Sequence, residues 1–402
     1  MTDHEVPEPP DGDEAPTLRQ LLRGVGVPDA EIERAQRDGT ASLLAIEHLV
    51  LTDSPEMDLH ELTRRANVSE EQVAELWRAL GFADPMPGEK VFSKADMEVL
   101  DLVTALIDSG VAEPDLVLQM TRVVGSSIAR IAISEVEAFG LDEESHGPLR
   151  GHAPSEVLDS PEFAARAGMV LPTMPKIMEY VWRRHMQAAA RSRVLRASAT
   201  MEEGTPQAVG FADLVGFTAL SQQVSAHELA EVVSRFEALA YDTVARLGGR
   251  VVKMIGDEVM FNVADPREAA EIALTLAEIY RDDDELSDVR VGLAYGPVLE
   301  REGDCYGPVV NLASRIVGIA FPGSVVVSDE LHTVMLDDDD FVWRSLHRRQ
   351  LKDIGRVMLW TMRRASDPFG PKSRDQVRLQ RTERREEAVE RRSSRGGGRG
   401  RR

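Results

Sequence analysis

The fold is decided by residues 208–262, which read AVGFADLVGFTALSQQVSAHELAEVVSRFEALAYDTVARLGGRVVKMIGDEVMFN. The first apolar run, AVGFADLV, ends before Gly216 and predicts a short β-strand. Two later runs rich in β-branched residues, GRVVKMI and VMFNV, are separated by the turn Gly-Asp-Glu at 256–258. This pattern is typical of a β-hairpin.

A long helix is predicted between the strand and the hairpin. Ser225 and Glu228 form a capping box. The apolar residues that follow recur at helical spacing, namely Leu229, Val232, Val233, Phe236, Leu239 and Ala240. A strand, a helix and a hairpin predict half of a ferredoxin-like sheet, in which the first strand lies beside the hairpin.

Two acidic residues stand at the ends of these strands. Asp213 closes the first strand and Asp257 lies in the hairpin turn. If the strands are neighbours, the two carboxylates converge, and they suit two divalent cations that clamp a triphosphate and activate an attacking oxygen. The alternative is that Asp213 caps a strand and Asp257 fills a turn.

Further elements follow the hairpin. Asp265, Pro266 and Glu268 predict the start of a helix that runs to about residue 280. VRVGLAYG predicts a strand, and a short helix at 331–336 and a strand at 341–346 come later.

The segment GDCYGPVVNLASRIVGIA predicts a loop and a helix that carries Asn311 and Arg315. These residues are four apart and share one helix face. An amide and a guanidinium there suit a sugar or a phosphoryl group that gains charge in a transition state. Alternatively, Arg315 pairs with a surface acid. Lys352 is a candidate phosphate contact.

Composition restricts the class of protein. The 402 residues carry a formal net charge of -22, which argues against general affinity for nucleic acid or anionic membranes. The only cysteine is Cys305, so a reducing, cytoplasmic location is expected. No stretch approaches the roughly 20 consecutive apolar residues of a membrane-spanning helix. Residues 1–16 are acidic and proline-rich, and they predict a disordered leader rather than a signal peptide.

Residues 18–141 are predicted to be helical. Within them, LHELTRRANVSEEQVAELWRALGF at 59–82 is similar to a helix-turn-helix. Its second helix begins with Glu70 and Glu71 and offers Arg78 as its cation, so a helical packing unit is favoured over a DNA reader.

A connecting helix is predicted after a Pro-, Gly- and acid-rich joint at 142–173. On this helix, Met178, Val181, Trp182, His185, Met186 and Ala189 share one face. That face suits either the core or a seam between two chains. His185 is a candidate proton switch, because its charging would disfavour a buried seam.

Three segments in order, FADLVGFT, VVKMIGDEVMF and GDCYGPVVNLASR, are similar to the signature motifs of class III nucleotidyl cyclases. The resemblance runs from about residue 207 to about residue 362. It implies an α+β architecture, in which a ferredoxin-like catalytic domain follows an all-α domain. The N-terminal half resembles the helical regulatory region of mycobacterial-type soluble adenylate cyclases, which restrains the enzyme and in some cases responds to pH.

The resemblance also implies roles for individual residues. Asp213 and Asp257 match the positions that bind two Mg or Mn ions. Backbone amides of residues 214–218, including those of Phe217 and Thr218, match the triphosphate-binding loop. The remaining matches are Lys253 and Asp304 for the purine, Asn311 and Arg315 for the ribose and the reacting phosphate, and Lys352 for the triphosphate.

The matched residues predict an adenylate cyclase that acts on ATP. A lysine can donate to an adenine ring nitrogen and an aspartate can accept from the exocyclic amine, whereas guanine presents the opposite pattern. Family guanylate cyclases use Glu and Cys at these two positions. In the family each site lies between two catalytic domains, so a homodimer with two composite sites is expected, with no nucleic acid and no membrane span.

The predicted organisation is a leader at 1–16, a helical regulatory domain at 17–173, a connecting helix at 174–200, a catalytic domain at 201–364 and a disordered charged tail at 365–402. Alternative functions are a guanylate cyclase, a diguanylate cyclase and a DNA-binding regulator that acts through residues 59–82. A diguanylate cyclase shares the fold and metal chemistry, but it gives Lys253, Asn311 and Arg315 no role.

Overall fold

The computed structural model of the chain describes residues 17–50, 53–139, 161–197, 205–283 and 286–366. The chain divides into two compact units, Met1–Arg193 and Val194–Arg402. The predicted leader at 1–16 lies outside the described residues. So does the predicted tail at 365–402, apart from its first two residues. An all-α N-terminal part and an α+β C-terminal part confirm the predicted fold class.

The regular elements of the first unit are helices, apart from an isolated β-bridge between Met57 and Phe92 in its described segments. Its helices are α1 (Leu18–Gly24), α2 (Asp29–Asp38), α3 (Ala41–Leu49), α4 (Leu59–Ala66), α5 (Glu70–Ala79), α6 (Lys94–Asp108), α7 (Pro114–Phe139) and α8 (Pro161–Ala197), the last of which continues into the second unit. Capping boxes start α1, α5 and α6, where Thr17, Ser69 and Ser93 each accept from the backbone amide three residues on.

Two small cores hold these helices. One joins α1, α2 and α3 around the buried side chains of Leu18, Leu22 and Ile32. The other contains Leu62 of α4 and Val73 of α5 together with Phe92. The predicted helix pair at 59–82 is therefore present and packs through its apolar side chains. Arg78 pairs with Asp84 at 3.1 Å.

Helix α8 differs from the predicted connecting helix, because it begins at Pro161 rather than near residue 174. Pro172 and Pro175 lie inside it. Proline is common at helix starts and costly in helix interiors, so the sequence favoured a start at Pro175. His185 is exposed in the single chain.

Helix α7 is the most apolar long helix among the described residues, and it bears on the expectation that no segment spans a membrane. Within the described residues, Pro114–Val136 is long and apolar enough to cross a membrane by length and composition, and 6% of its most apolar window is buried. The prediction counted uninterrupted apolar residues, whereas mean hydropathy tolerates charged residues such as Arg122 and Arg130 within the run.

The second unit contains a mixed sheet with helices on both faces. Its elements in chain order are β1 (Thr205–Leu214), α9 (Phe217–Ser221), α10 (Ala226–Arg246), β2 (Arg250–Ile255), β3 (Glu258–Val263), α11 (Pro266–Asp282), β4 (Val289–Arg301), β5 (Asp304–Tyr306), α12 (Pro308–Ile319), β6 (Val325–Ser328), α13 (Asp329–Val334), β7 (Phe341–Leu351) and β8 (Gly355–Arg364).

The strand order is β2-β3-β1-β4-β6-β8-β7, and β5 pairs with β4. Neighbours are antiparallel except β4 and β6, which are parallel. The first strand lies beside the hairpin, as predicted. Capping by Ser225 and by Asp265 starts α10 and α11 at the predicted places.

Strand alternation separates two cores, one on each face of the sheet. Ala212 of β1 and Phe261 of β3 pack with α10 and α11, whereas Phe211 and Met260 pack with α12. Because side chains alternate along a strand, Asp213 and its cross-strand partners Glu258 and Arg290 project to the α12 face.

Helix α12 lies directly on β4 because Gly292 has no side chain. A Cβ at this position would lie 2.4 Å from the backbone nitrogen of Val317 and 2.8 Å from the carbonyl oxygen of Ala313. Glycine therefore sets the distance between this helix and the sheet. The same helix carries Asn311 and Arg315.

Candidate active site

Asp213 and Asp257 lie together at one end of the sheet. Asp213 is the penultimate residue of β1, and Asp257 occupies the β2–β3 turn, where Gly256 supplies the positive φ of 63°. The backbone amide of Leu214 donates to the carbonyl of Asp257 at 3.0 Å, which joins the end of β1 to this turn. The two carboxylates that the sequence placed on separate elements are thus neighbours.

The surroundings of Asp257, including the nearby Asp213 carboxylate, raise the pKa of its carboxyl group. Burial raises the pKa of its carboxyl, and contact with the Asp213 carboxylate raises it further, against the lowering by its own backbone amide and by Arg290. Asp213 itself is only 9% exposed. Negative charge at this end of the sheet is therefore not fully compensated by the protein.

Arg290 is a site residue that sequence reasoning missed. Its Nε donates to Oδ2 of Asp213 at 2.5 Å, and its Nη2 also contacts that oxygen. Asp213 and Arg290 are directly opposite on β1 and β4. These two residues are paired by the register of the strands, which the sequence does not reveal. The feature of the sequence that could have indicated Arg290 is that it is an arginine inside the otherwise apolar run VRVGLAYG.

Glu258 is a second residue that was missed. It is the cross-strand partner of Asp213, and its pKa is raised to about 7 by burial and by the charges of Asp213 and Asp257, with Arg290 opposing. A carboxyl that resists ionisation here is further evidence of a surplus of negative charge.

The donor set fits divalent cations. Carboxylate oxygens are preferred ligands of Mg²⁺, which is usually bound through one or two carboxylates together with substrate phosphates. Within the described ranges, no group of three or more His, Cys, Asp or Glu side chains is arranged to hold an ion by itself. Asp213 and Asp257 would supply the protein ligands, and a bound cation would neutralise the charge that raises the pKa of Asp257.

Lys253 and Asp304 form a second group. Nζ of Lys253 lies 2.5 Å from Oδ2 of Asp304, and Oδ1 of Asp304 accepts from the backbone amide of Cys305 at 2.8 Å. Burial by itself raises the pKa of Asp304, but these two hydrogen bonds and the nearby charges of Lys253 and Arg250 hold it below its usual value. The structure therefore brings a donor and an acceptor together on β2 and β5.

Helix α12 carries the third group. It begins after Gly307, whose φ is 128°, with Pro308 in its first turn. Nη2 of Arg315 lies 3.6 Å from Oδ2 of Asp353, and these side chains are 46% and 70% exposed. Lys352 precedes Asp353 in the β7–β8 turn. The alternative for Arg315, pairing with a surface acid, is thus present as a weak and exposed contact with Asp353.

Two of the five backbone amides at residues 214–218, where a triphosphate-binding loop is expected, are hydrogen-bonded within the protein. The amide of Leu214 donates to Asp257, and the amide of Val215 donates to the carbonyl of Asp288 at 2.9 Å. Both amides are used in backbone hydrogen bonds at the edge of the sheet. The amides that stay candidates for binding the triphosphate are therefore those of Gly216, Phe217 and Thr218. Gly216 precedes α9 in a left-handed conformation.

Two family models match the chain. The adenylate and guanylate cyclase catalytic domain matches residues 200–363, and the adenylate cyclase regulatory domain matches residues 13–139. The second match includes α7.

The chain is similar to curated bacterial proteins over most of its length. An adenylate cyclase of Streptomyces coelicolor is 38% identical over 285 residues, which are 71% of this chain and 73% of that protein. An adenylate cyclase of Glutamicibacter nicotianae is 31% identical over 83% of this chain and 84% of its own length. A pH-sensitive adenylate cyclase of Mycobacterium tuberculosis is 31% identical over 82% of this chain and 83% of its own length.

Solved structures are also similar to part of the chain. The adenylyl cyclase CyaB from P. aeruginosa aligns with a TM-score of 0.36 and 19% identity, over 41% of this chain and 97% of its own. The catalytic core of a rhodopsin-guanylyl cyclase with converted specificity, in complex with ATPalphaS, aligns with a TM-score of 0.38 and 24% identity, over 40% of this chain and 97% of its own.

Proposed function

The chain belongs to the class III adenylate cyclase family, and on that premise we propose that it converts ATP to 3′,5′-cyclic AMP and pyrophosphate. The observation that carries the choice of ATP is the contact between Lys253 and Asp304. A lysine donor beside an aspartate acceptor matches the ring nitrogen and the exocyclic amine of adenine, whereas guanine presents a carbonyl and a ring N–H. Both side chains already face each other, so adenine would insert between partners held in place.

The reaction forms a bond between the ribose 3′ oxygen and the α-phosphorus and breaks the bond from that phosphorus to the β-phosphate oxygen. The 3′ proton is lost to solvent, and pyrophosphate leaves. When bound, two Mg or Mn ions would supply Lewis-acid activation of the 3′ hydroxyl and charge neutralisation on the phosphates. Asp213 and Asp257 would hold these ions.

Asn311 and Arg315 are proposed to act on the reacting centre. Their spacing on α12 directs an amide and a guanidinium to the same side, where they can orient the ribose and stabilise charge that develops on the α-phosphate. Recruiting Arg315 requires breaking its contact with Asp353. That contact is long and exposed, so its loss costs little free energy. Lys352, and the amides of Phe217 and Thr218, are proposed to contact the triphosphate.

Each site is proposed to be composite. The hydrogen bonds and ion pairs of these residues fall into separate sets, Asp213 with Arg290, Lys253 with Asp304 and Arg315 with Asp353. In a homodimer with two-fold symmetry, Asp213 and Asp257 of one copy would face Lys253, Asp304 and Arg315 of the other. This arrangement gives two equivalent sites. The regulatory domain is proposed to control how these sets meet, and a pH-dependent response through α8 and His185 is one form of that control.

The activity is tested on the purified full-length protein. ATP or GTP is incubated with Mn²⁺, and products are identified by mass spectrometry. The proposal expects 3′,5′-cyclic AMP from ATP, much less cyclic product from GTP, and loss of product in Asp213→Asn. A linear dinucleotide or cyclic di-GMP from GTP would instead support a diguanylate cyclase, and no product from either nucleotide would contradict the proposal.

A further inference from the structure

The hairpin that carries Asp304 has little support of its own. Strand β5 spans only Asp304–Tyr306, and among the described strands it pairs with β4. The turn before it contains Glu302 and Gly303 with φ values of 56° and 80°, which is typical of a tight two-residue hairpin turn. An isolated two-stranded hairpin is marginally stable in water. Here β4 belongs to the large sheet and Cys305 is buried beside α12, so the exposed turn and Asp304 are the part of the hairpin that depends on further contacts.

Arg250 supplies a tether from the neighbouring strand β2. Its Nη1 donates to the carbonyl oxygen of Gly303 at 2.8 Å, and its Nη2 lies 3.8 Å from Sγ of Cys305. These contacts flank Asp304 on both sides in the sequence. The planar guanidinium can hold two acceptors at fixed separation, which a lysine cannot.

A polar network that is buried on its Gln207 and Asn262 side lies beside the exposed side chain of Arg250. Nη2 of Arg250 lies 3.8 Å from Oε1 of Glu300. The same oxygen accepts from Nε2 of Gln207 at 3.0 Å and from Nδ2 of Asn262 at 3.1 Å, and Nδ2 of Asn262 also donates to Oε1 of Gln207 at 2.6 Å.

Gln207 and Asn262 are 2% and 4% exposed. Burying amides is costly unless they are hydrogen-bonded, so this network depends on Glu300 remaining in place.

This arrangement matters most when the nucleotide is bound. In the structure, Lys253 and Asp304 hold each other directly. An adenine that bonds to both competes with that contact, which weakens one of the links between β2 and the hairpin. The link from Arg250 to Gly303 does not involve the nucleotide and would persist.

On the proposed function, we propose that Arg250, oriented by Glu300 with Gln207 and Asn262, is a positioning residue that keeps Asp304 in register with Lys253 and thereby sets selection of adenine over guanine. Arg250 is not among the residues proposed to contact the base or the phosphates. Its effect reaches the substrate through the placement of Asp304.

The test compares Arg250→Met with Arg301→Met, a control on the same hairpin that lies opposite Asp304 in the strand register but whose side chain pairs with its exposed neighbour Glu302. Two readouts are taken on the full-length protein. One is hydrogen exchange of the peptide that contains residues 299–306. The other is the ratio of affinities for fluorescent N-methylanthraniloyl ATP and GTP.

Arg250→Met is expected to accelerate exchange in the hairpin and to lower the ATP to GTP affinity ratio about tenfold, since a misplacement near 1 Å can cost that much or more. Arg301→Met is expected to change neither. Arg250→Lys keeps the charge but loses the planar guanidinium, and it is expected to show effects between those of the wild type and Arg250→Met. It serves as the second variant if Arg250→Met does not fold.

Unchanged exchange in Arg250→Met and Arg250→Lys would overturn the tether, and faster exchange with an unchanged nucleotide ratio would overturn the role in selectivity. A wild-type protein that prefers GTP, or that binds neither nucleotide, would identify failure of the proposed function itself and would remove the premise of the inference.

Discussion

The Arg290 guanidinium is bound to Oδ2 of Asp213 through Nε at 2.5 Å and through Nη2, so a candidate metal ligand carries a fixed cation in the substrate-free protein. A divalent ion that takes Asp213 as a ligand must compete with this arginine. The arginine also lowers the pKa values of the neighbouring Asp257 and Glu258. Arg290 therefore partly offsets the rise in the pKa values of Asp257 and Glu258, and it would compete with a cation for the Asp213 carboxylate.

Arg290→Gln is expected to increase the affinity of the substrate-free protein for Mn²⁺ several-fold, because the competing positive charge is removed while Asp213 and Asp257 are retained. Electron paramagnetic resonance of free Mn²⁺ during titration measures this affinity. Arg356→Gln on β8 is the control for loss of one positive charge elsewhere on the sheet. Weaker Mn²⁺ binding in Arg290→Gln would mean that Arg290 organises the carboxylates rather than competing for them.

The contact between Gly292 and α12 can be tested by adding one methyl group. Gly292→Ala is expected to destabilise the protein by roughly 1–3 kcal/mol, because the new Cβ meets backbone atoms of Ala313 and Val317 that cannot rotate away. The displaced helix should also lower cyclase activity through Arg315. Urea denaturation and the rate of cyclic AMP formation measure the two effects.

Gly318→Ala is the matched change within α12. A Cβ at Gly318 meets nothing within 4 Å, so the substitution is expected to stabilise the helix by about 0.5–1 kcal/mol. Opposite changes in unfolding free energy for Gly292→Ala on β4 and Gly318→Ala on α12 would verify the packing of the helix on the sheet. Equal changes would contradict it.

A pH dependence of stability is expected from His332. Its ring stacks on Trp360, with ring centroids 3.7 Å apart, and meets Trp343 edge-on. Burial lowers the pKa of His332 below its usual value, with Asp329 opposing. Below about pH 6.5 the unfolded chain therefore binds a proton that the folded chain does not, so stability falls as the pH decreases toward the folded-state pKa.

His332→Phe is expected to reduce the loss of unfolding free energy between pH 7.5 and pH 5.5, since phenylalanine keeps the stacking and removes the proton site. Urea denaturation at both pH values measures this difference. His227→Phe, at an exposed position on α10, should retain the wild-type dependence. The assignment fails if His332→Phe and the wild type lose equal stability on acidification.

Local sequence signals predicted the elements whose ends are chemically marked. Ser225 with Glu228, and Asp265 with Pro266, start their helices at the expected residues, because capping and proline chemistry act within one turn. The juxtaposition of Asp213 and the Asp257 turn also followed, since a strand, a helix and a hairpin leave few ways to arrange the sheet. The start of α8 was misplaced because its internal prolines resemble a helix N-terminus.

What the sequence could not supply was register. Arg290 faces Asp213, and Arg250 reaches Gly303, only because particular residues on distant strands are paired. A shift of one residue would send each side chain to the opposite face. The partners that tune the site are therefore visible in the structure and hidden in the sequence, whereas residues within the motifs could be found in both.

The central claim is that each active site draws residues from two copies of the chain. Two inactive variants test it directly, one carrying Asp213→Ala with Asp257→Ala and the other carrying Asn311→Ala with Arg315→Ala, which are co-expressed with different tags and purified as heterodimers. The account predicts about half the wild-type rate of cyclic AMP formation, because two-fold symmetry leaves one of the two sites intact. A heterodimer no more active than either parent variant would contradict it.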